Sequence, residues 1–263
     1  MMKNIFETSA FVEKGTKVMK KLFAAALASL CLASLLNTQA GTLPPSIARD
    51  SLFVSETLDW LSIGFNYEDG KRSIKSDSFG SYQAKIQSYA AYLGVDALEW
   101  LTLFATVGSS KAQLSSSQIE LGDTGTKWSL GITANLWHHD IQDPDALSGR
   151  LAIKTTFEFS KYATTDTSGD GNWSDVTFSV PVSYEISRDA PQNDTSDIFG
   201  IMIYAGPAVS MISGSLPSDS FSQDQSFGGM GGLDLYLFHN LSIGVYVEYF
   251  DDYNVGFNMR FHF

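Results

Sequence analysis

The sequence predicts an all-β protein, a closed up-and-down antiparallel transmembrane β-barrel of about ten strands, with eight or twelve strands as alternatives. Apolar and polar residues alternate in segments of roughly ten residues, which is the signature of such barrels. Beyond residue 40, no apolar run reaches the roughly 18 residues that a helical span needs. Because lipid offers no hydrogen bonds, only helices and closed sheets satisfy every backbone group within it.

The composition fits strands that face lipid on one side. Charged residues make up 17% of the 263 residues, against about 25% in ordinary soluble domains. The formal net charge of −12 disfavours nucleic-acid binding, because phosphate needs a basic surface. We therefore expect no nucleic-acid partner, and no motif in the sequence indicates a cofactor.

Residues 1–40 are predicted to be a secretory signal peptide. Two lysines precede the apolar run Leu22–Leu36, and a small residue, Ala40, follows it. We expect cleavage after Ala40. Residues 1–18 resemble no targeting element, so Met19 is an alternative start. Residues 41–57 are then a periplasmic N-terminal segment ahead of the barrel at 58–263.

The only cysteine, Cys31, lies inside this apolar run. Lipidation of Cys31 would need a small residue before it, and Leu30 stands there. Cleavage after residue 40 would remove the cysteine, which excludes a disulfide scaffold.

Ten segments of the chain carry the alternating pattern. In the last of them, Tyr253, Val255 and Phe257 alternate with polar residues or glycine. The predicted strands are 58–69, 83–94, 99–110, 127–137, 150–161, 173–187, 199–213, 225–238, 241–250 and 253–263.

The connections between these segments predict the orientation of the barrel. With the N-terminus in the periplasm, odd connections face outside, where barrel loops are usually longer. The predicted outer loops are 70–82, 111–126, 162–172, 214–224 and 251–252. The predicted periplasmic turns are 95–98, 138–149, 188–198 and 239–240, and two of these are longer than the rule suggests.

The five tryptophans fall at the ends of predicted strands, as the aromatic girdles of membrane barrels require. Packing at the ends of a soluble β-sandwich is the alternative interpretation. Trp60, Trp100 and Trp137 would form the periplasmic girdle, and Trp128 and Trp173 the outer one.

Two prolines oppose the barrel prediction. Pro181 and Pro207 fall inside neighbouring predicted strands, and proline cannot donate to a β-ladder. A closed barrel has no free edge for them, so we expect a local bulge that accommodates both.

The stretch Tyr253–Phe263 resembles the C-terminal assembly signal of bacterial outer-membrane β-barrels, a last strand of alternating apolar residues that ends in Phe. The preceding stretch 232–249 resembles the closing strands of small OmpA-like barrels. The resemblance implies an outer-membrane location and recognition by the barrel-assembly machinery. The matching positions are Phe257, Met259, Phe261 and Phe263.

Charged residues on the polar faces of the segments are expected to point into the lumen. They could line a selective pore or pair into a network that fills a narrow barrel. The predicted lumen residues are Glu68, Lys85, Lys154, Glu158, Glu185, Asp234, Glu248 and Arg260.

The histidines give little support for catalysis or metal binding. Some ten-stranded outer-membrane barrels are proteases with Asp and His pairs at the outer rim. Here the predicted topology puts every histidine at the periplasmic end, and adjacent histidines on a strand point to opposite faces. The histidines are His138, His139, His239 and His262.

We therefore expect a non-enzymatic outer-membrane barrel, structural or narrow and porin-like, with outer-membrane lipid as its surroundings. The alternatives are a surface adhesion or ligand-binding barrel, a lipid-modifying or proteolytic barrel, and a secreted soluble β protein.

Overall fold

The structure of the protein is a computed structural model. It describes residues 60–76, 80–114, 124–141, 149–166, 169–187, 198–216, 219–237 and 241–263, which contain twelve β-strands. The signal-peptide and N-terminal-segment predictions lie outside these residues. The described part of the chain contains no helix long and apolar enough to cross a membrane. The strands are β1 (Leu61–Ser76), β2 (Gly80–Leu98), β3 (Leu101–Leu114), β4 (Thr124–Ile141), β5 (Gly149–Asp166), β6 (Gly169–Ser179), β7 (Val182–Ser187), β8 (Ile198–Leu216), β9 (Asp219–Gln223), β10 (Phe227–Leu237), β11 (Leu241–Tyr249) and β12 (Tyr253–His262).

The strands form one closed antiparallel barrel with ten staves. β6 and β7 are two parts of one stave, since both pair with β5 and with β8. β9 and β10 together form the stave after β8. Because β12 pairs with β1, the sheet closes without a free edge along its wall. The predicted fold class and strand number are confirmed.

The stagger of the ladders sets the tilt of the strands. When the registers of the ladders are continued past Pro181 and to Tyr253, the path from Leu101 across every stave returns to β3 at Gln113, twelve residues further along. In a ten-stranded barrel this stagger corresponds to a tilt of about 40°. We call the end where β1 begins the lower end, and the opposite end the upper end.

Three of the upper connections are shorter than predicted. Three of the predicted outer loops, 70–82, 162–172 and 214–224, consist mostly of paired strand. In the first, the ladder continues to Ser76 opposite Gly80, whose φ of 86° is available to glycine at little cost. The strands therefore project well beyond the predicted segments at this end.

The barrel narrows at its upper end. The β11–β12 hairpin turns early, and above it β9 pairs directly with β1, with Ile74 opposite Gln223 and Ser76 opposite Phe221. The upper parts of β1–β6, β8 and β9 thus form a shorter eight-stranded ring, which we call the collar. Barrels of about eight strands are just wide enough for side chains to fill them.

The two prolines meet on neighbouring staves without a bulge. Ser179 pairs with Ala208 and Val182 with Ala205, so the register is the same on both sides of Pro181. The expected bulge was therefore wrong. Proline has no N–H, so the ladder lacks the one hydrogen bond that this group would donate. The neighbouring backbone groups still pair, since the Pro181 carbonyl accepts from Lys154 N at 3.0 Å.

The outer wall carries a broad apolar band. Along β12 the outward side chains from Tyr253 to Phe263 are apolar over ten residue steps, about 25 Å at a 40° tilt. Exposed members on the other staves include Ile63, Phe65, Leu93, Leu103, Val107, Leu130, Ile132, Phe157, Phe178, Ile203, Met211 and Val247.

Polarity inverts between this band and the collar. Along β1, the outward side chains change from Ile63 and Phe65 to Lys71 and Lys75, while buried Ile74 points inward. The collar is thus polar outside and apolar inside, as expected for strands that leave lipid and continue in water.

Candidate functional site: the barrel lumen

The strand alternation directs polar side chains into the lumen, where they pack closely against one another. Lys154, Glu185, Tyr246 and Glu248 all have 0% exposure, although each carries a polar or charged group. Charged groups buried this deeply need partners, because their desolvation is costly. The contacts of these groups define the chemistry of the lumen.

An ion pair lies at the centre of the lumen. Lys127 Nζ on β4 donates to Glu68 Oε2 on β1 at 2.5 Å, across the bore rather than along the wall. Ser88 Oγ donates to the same carboxylate at 2.7 Å, and Tyr246 Oη donates to Glu68 Oε1 at 3.1 Å. Glu68 therefore links four staves through a single side chain.

A second ion pair lies just beneath the collar. Arg72 donates to Glu248 Oε2 at 3.2 Å, and Asn254 Nδ2 donates to the same oxygen at 2.7 Å. The Arg72 guanidinium also lies 4.1 Å from the centre of the Phe250 ring. A cation over an aromatic face in a dry site adds to the attraction of the carboxylate.

The lower lumen holds a third group of polar contacts. Lys154 Nζ donates to Glu185 Oε1 at 2.8 Å and lies 3.4 Å from Met202 Sδ. Arg260 lies 4.7 Å from the centre of the Tyr92 ring. These groups pair or stack within the protein, so the charges hold the staves together.

The collar contains an apolar cluster of buried residues. Trp173 stacks on Tyr162 with ring centroids 5.1 Å apart and an interplanar angle of 8°. This cluster, which we call the plug, consists of Ile74, Ala84, Ile86, Ala112, Tyr162, Trp173, Ile212 and Phe221. The plug contains no charged side chain.

Seven of the eight predicted lumen residues lie inside the barrel. They are Glu68, Lys154, Glu158, Glu185, Asp234, Glu248 and Arg260. Lys85 was assigned wrongly. It points outward, with its side chain 33% exposed, and lies 3.6 Å from Asp69. The phase of its segment is ambiguous in sequence, because buried Ile86 and Ala84 belong to the plug rather than to the lipid face.

Two central cations were absent from the predicted set. Arg72 was assigned to an outer loop, although it belongs to β1. Lys127 precedes Trp128 in a segment whose alternation was readable, since Ser129 and Thr133 share its buried face. The alternation of β4 could therefore have identified Lys127.

The tryptophans divide between the two faces of the wall. Trp60, Trp100, Trp128 and Trp137 are exposed on the outside. Trp173 is 3% exposed and belongs to the plug, so its assignment to an outer girdle was wrong. The positions predicted to form an assembly signal, Phe257, Met259, Phe261 and Phe263, lie on the outward face of the last strand and just after it.

The histidines in the described part of the chain do not converge. His139 stacks on Trp137 at the lower end of β4, and His262 Nε2 lies 3.2 Å from Ser242 Oγ on another stave. His239 lies outside the described residues. Within the described ranges, no three His, Cys, Asp or Glu side chains form a group that could hold a metal ion.

Glycines make room for the polar network where a side chain would collide. A Cβ on Gly244 would fall within 1.7 Å of Asp234 Oδ1 and 2.4 Å of Asn258 Nδ2. Those two side chains bond each other at 3.4 Å. The glycine therefore keeps space for a neighbouring pair.

Substituting Gly244→Ala should destabilise the folded barrel by about 1–3 kcal/mol, because overpacking forces the neighbouring side chains to shift. Urea unfolding in detergent micelles, followed by gel mobility without boiling, measures the change. Gly229→Ala is the matched control, since the nearest atom to its Cβ is 3.4 Å away. Equal losses for the two variants would contradict the steric account.

A comparison with solved structures finds bacterial proteins at low sequence identity and low TM-score. The transport unit of the autotransporter AIDA-I from Escherichia coli is 12% identical to this chain in sequence. The match covers 81% of this chain and 92% of that chain, at a TM-score of 0.38. The outer membrane protease OmpT from Escherichia coli is also 12% identical, and the match covers 82% of this chain and 100% of that chain at a TM-score of 0.34. The β domain of the Bordetella autotransporter BrkA is 9% identical, and the match covers 78% of this chain and 100% of that chain at a TM-score of 0.34. These structural neighbours are outer-membrane β-barrels. No family model matches the sequence, and no curated protein matches it.

Proposed function

We propose that the protein is an integral outer-membrane β-barrel with a sealed lumen, acting as a structural element of the envelope rather than as an open pore or an enzyme. The observation that carries this proposal is the filled bore, with ion-paired side chains at 0% exposure beneath an apolar plug. A general pore needs a continuous wet path, and these groups contact one another instead.

The outer wall supports the membrane location. Large apolar side chains cover the band on every stave, and aromatic residues mark its lower edge, where Trp60, Trp100 and Trp137 lie. A band about 25 Å tall with aromatic edges matches the apolar zone of known membrane barrels. Outer-membrane lipid is accordingly the proposed surrounding of the band.

Export and assembly follow from the same proposal. Residues 1–40 would direct export, and β12 would present Phe257, Met259, Phe261 and Phe263 to the barrel-assembly machinery. β12 is well placed for this role, because its pairing with β1 is the step that closes the sheet. In the collar, β9 takes the place of β12 beside β1.

A catalytic role has no comparable support in the described residues. Proteolysis or hydrolysis needs a nucleophile, a base and an oriented partner in one place. Among the described histidines, His138 and His139 lie on β4 and point to opposite faces, and His262 lies on β12. The lumen carboxylates Glu68 and Glu185 each accept from a lysine, and Glu248 accepts from an arginine and an amide. We therefore propose a non-enzymatic protein without a cofactor.

Planar-bilayer recording tests the sealed lumen. Reconstituted protein should give no stable current steps in concentrated potassium chloride, because no wet path crosses the plug. A general porin recorded under the same conditions is the positive control. Gel mobility without boiling confirms that the recorded sample is folded, and regular single-channel steps from folded protein would contradict the proposal.

A further inference from the structure

A tier of lysines lies outside the barrel at the upper edge of the apolar band. Among the described residues, the lysines that point away from the lumen all lie in the upper half and on one side of the barrel. They are Lys71, Lys75, Lys85, Lys111 and Lys161. Such a one-sided basic surface is unexpected in a chain with a net charge of −12.

Three of these lysines are immediate neighbours. Lys71 and Lys85 are directly paired across β1 and β2, and like charges in that position destabilise a sheet. Lys111 pairs with Gln87, so it lies diagonally from Lys85 on the next stave. Side chains at these separations, about 5–8 Å, can converge on one small anion.

One carboxylate, Asp69, belongs to this group of lysines, and two more lie on the neighbouring hairpin tip. Asp69 lies 3.6 Å from Lys85 and also accepts from Gln87 at 2.7 Å. Asp251 accepts from the Ser73 amide at the tip of the β11–β12 hairpin. Asp252, on the same tip, accepts from Gln83 Nε2 at 3.2 Å.

The position of the lysines along the barrel axis points to a lipid headgroup as the anion. Directly below Lys71 and Lys85, Tyr67 and Tyr89 pack together with ring centroids 4.8 Å apart. Tyr67 Oη donates to Asp69 at 3.3 Å. Tyrosines mark the headgroup level of membrane proteins, and lysines extend from there toward charged headgroups.

We propose that Lys71, Lys85 and Lys111 bind the phosphate of an anionic lipid headgroup in the leaflet around the upper end of the barrel. The inference rests on the proposed membrane location. It adds a binding site on the wall, independent of whether the lumen is sealed. Bound phosphate would offset the repulsion between Lys71 and Lys85 and favour one kind of lipid at one side of the barrel.

Spin-labelled lipids in reconstituted vesicles test this site. The protein is placed in phosphatidylcholine with a minor fraction of spin-labelled phosphatidic acid, and its selectivity over spin-labelled phosphatidylcholine is measured. Replacing both lysines in K71Q/K85Q should reduce this selectivity by about five-fold or more, since each surface lysine contributes a factor of about five. The variant K71R/K85R should retain it.

The variant K75Q/K161Q removes the same charge from the same side of the barrel and is the matched control. Equal losses in both glutamine variants would overturn the proposed site in favour of diffuse attraction. Inorganic phosphate that binds the detergent-solubilised protein as tightly as phosphatidic acid does would show a site for free phosphate rather than lipid, which also overturns it. Each variant is first shown to insert into pure phosphatidylcholine, because failure there counts against the membrane location itself.

Discussion

Replacing Lys127 with methionine should lower the free energy of unfolding by about 3–5 kcal/mol, the cost of leaving one buried charge without its partner. Lys127 donates to Glu68 at 2.5 Å, and both side chains are almost fully buried. In the variant, Glu68 would keep only the Ser88 and Tyr246 hydroxyls as hydrogen-bond donors. Neither donor carries a positive charge.

The measurement is urea unfolding of the barrel in detergent micelles or short-chain lipid vesicles, followed by tryptophan fluorescence and by gel mobility without boiling. Lys85→Met is the matched control, because Lys85 lies outside the barrel with its side chain 33% exposed. Its pair with Asp69 should contribute at most about 1 kcal/mol. Similar losses in both variants would contradict a special role for the central pair.

A double substitution separates the charge from the shape of the side chain. In E68Q/K127M the uncompensated carboxylate is absent, so much of the lost stability should return. A double variant as unstable as K127M would mean that packing, not charge pairing, determines the contribution of Lys127. That result would also weaken the interpretation of the lumen as an electrostatic network.

The ten staves could be predicted because lipid imposes a strict rule on them. Wherever a strand crosses the apolar band, outward residues are apolar and the side-chain period is two. Segments such as 241–250 and 253–263 therefore match β11 and β12 within a residue or so. The rule fails above the apolar band, where Lys71 and Lys75 point outward and Ile74 points inward.

The contacts within the lumen could not be predicted from the sequence. Lys127 and Glu68 are 59 residues apart and lie on staves that are not neighbours. Their meeting depends on strand number, stagger and bore width together. Alternation indicates that a residue points inward, but it does not say which residue it faces across the lumen.

The inward position of Trp173 could have been predicted from the sequence, in place of the girdle assignment. Its segment alternates with Val176 and Phe178 outward, which places odd-numbered Trp173 on the inward face. Position near a strand end favoured the girdle, but parity along the strand was the stronger signal. The structure places Trp173 in the plug, against Tyr162.

Replacing Trp173 with alanine should therefore have a second large effect, a loss of about 3–5 kcal/mol, typical of removing a buried tryptophan. The cavity would open in the collar, among the remaining residues of the plug. Trp128→Ala is the matched control, because Trp128 lies on the outer wall and is 41% exposed. Its loss should be about 1 kcal/mol, from its packing against Phe159.

Limited proteolysis of protein in lipid vesicles should show where this stability is lost. If the collar has its own apolar core, W173A should be cleaved within the collar while the segments in the apolar band stay protected. W128A should leave the collar resistant. Cleavage at the same rate in both variants would mean that the plug does not hold the upper strands together, and the proposed seal would lose its structural basis.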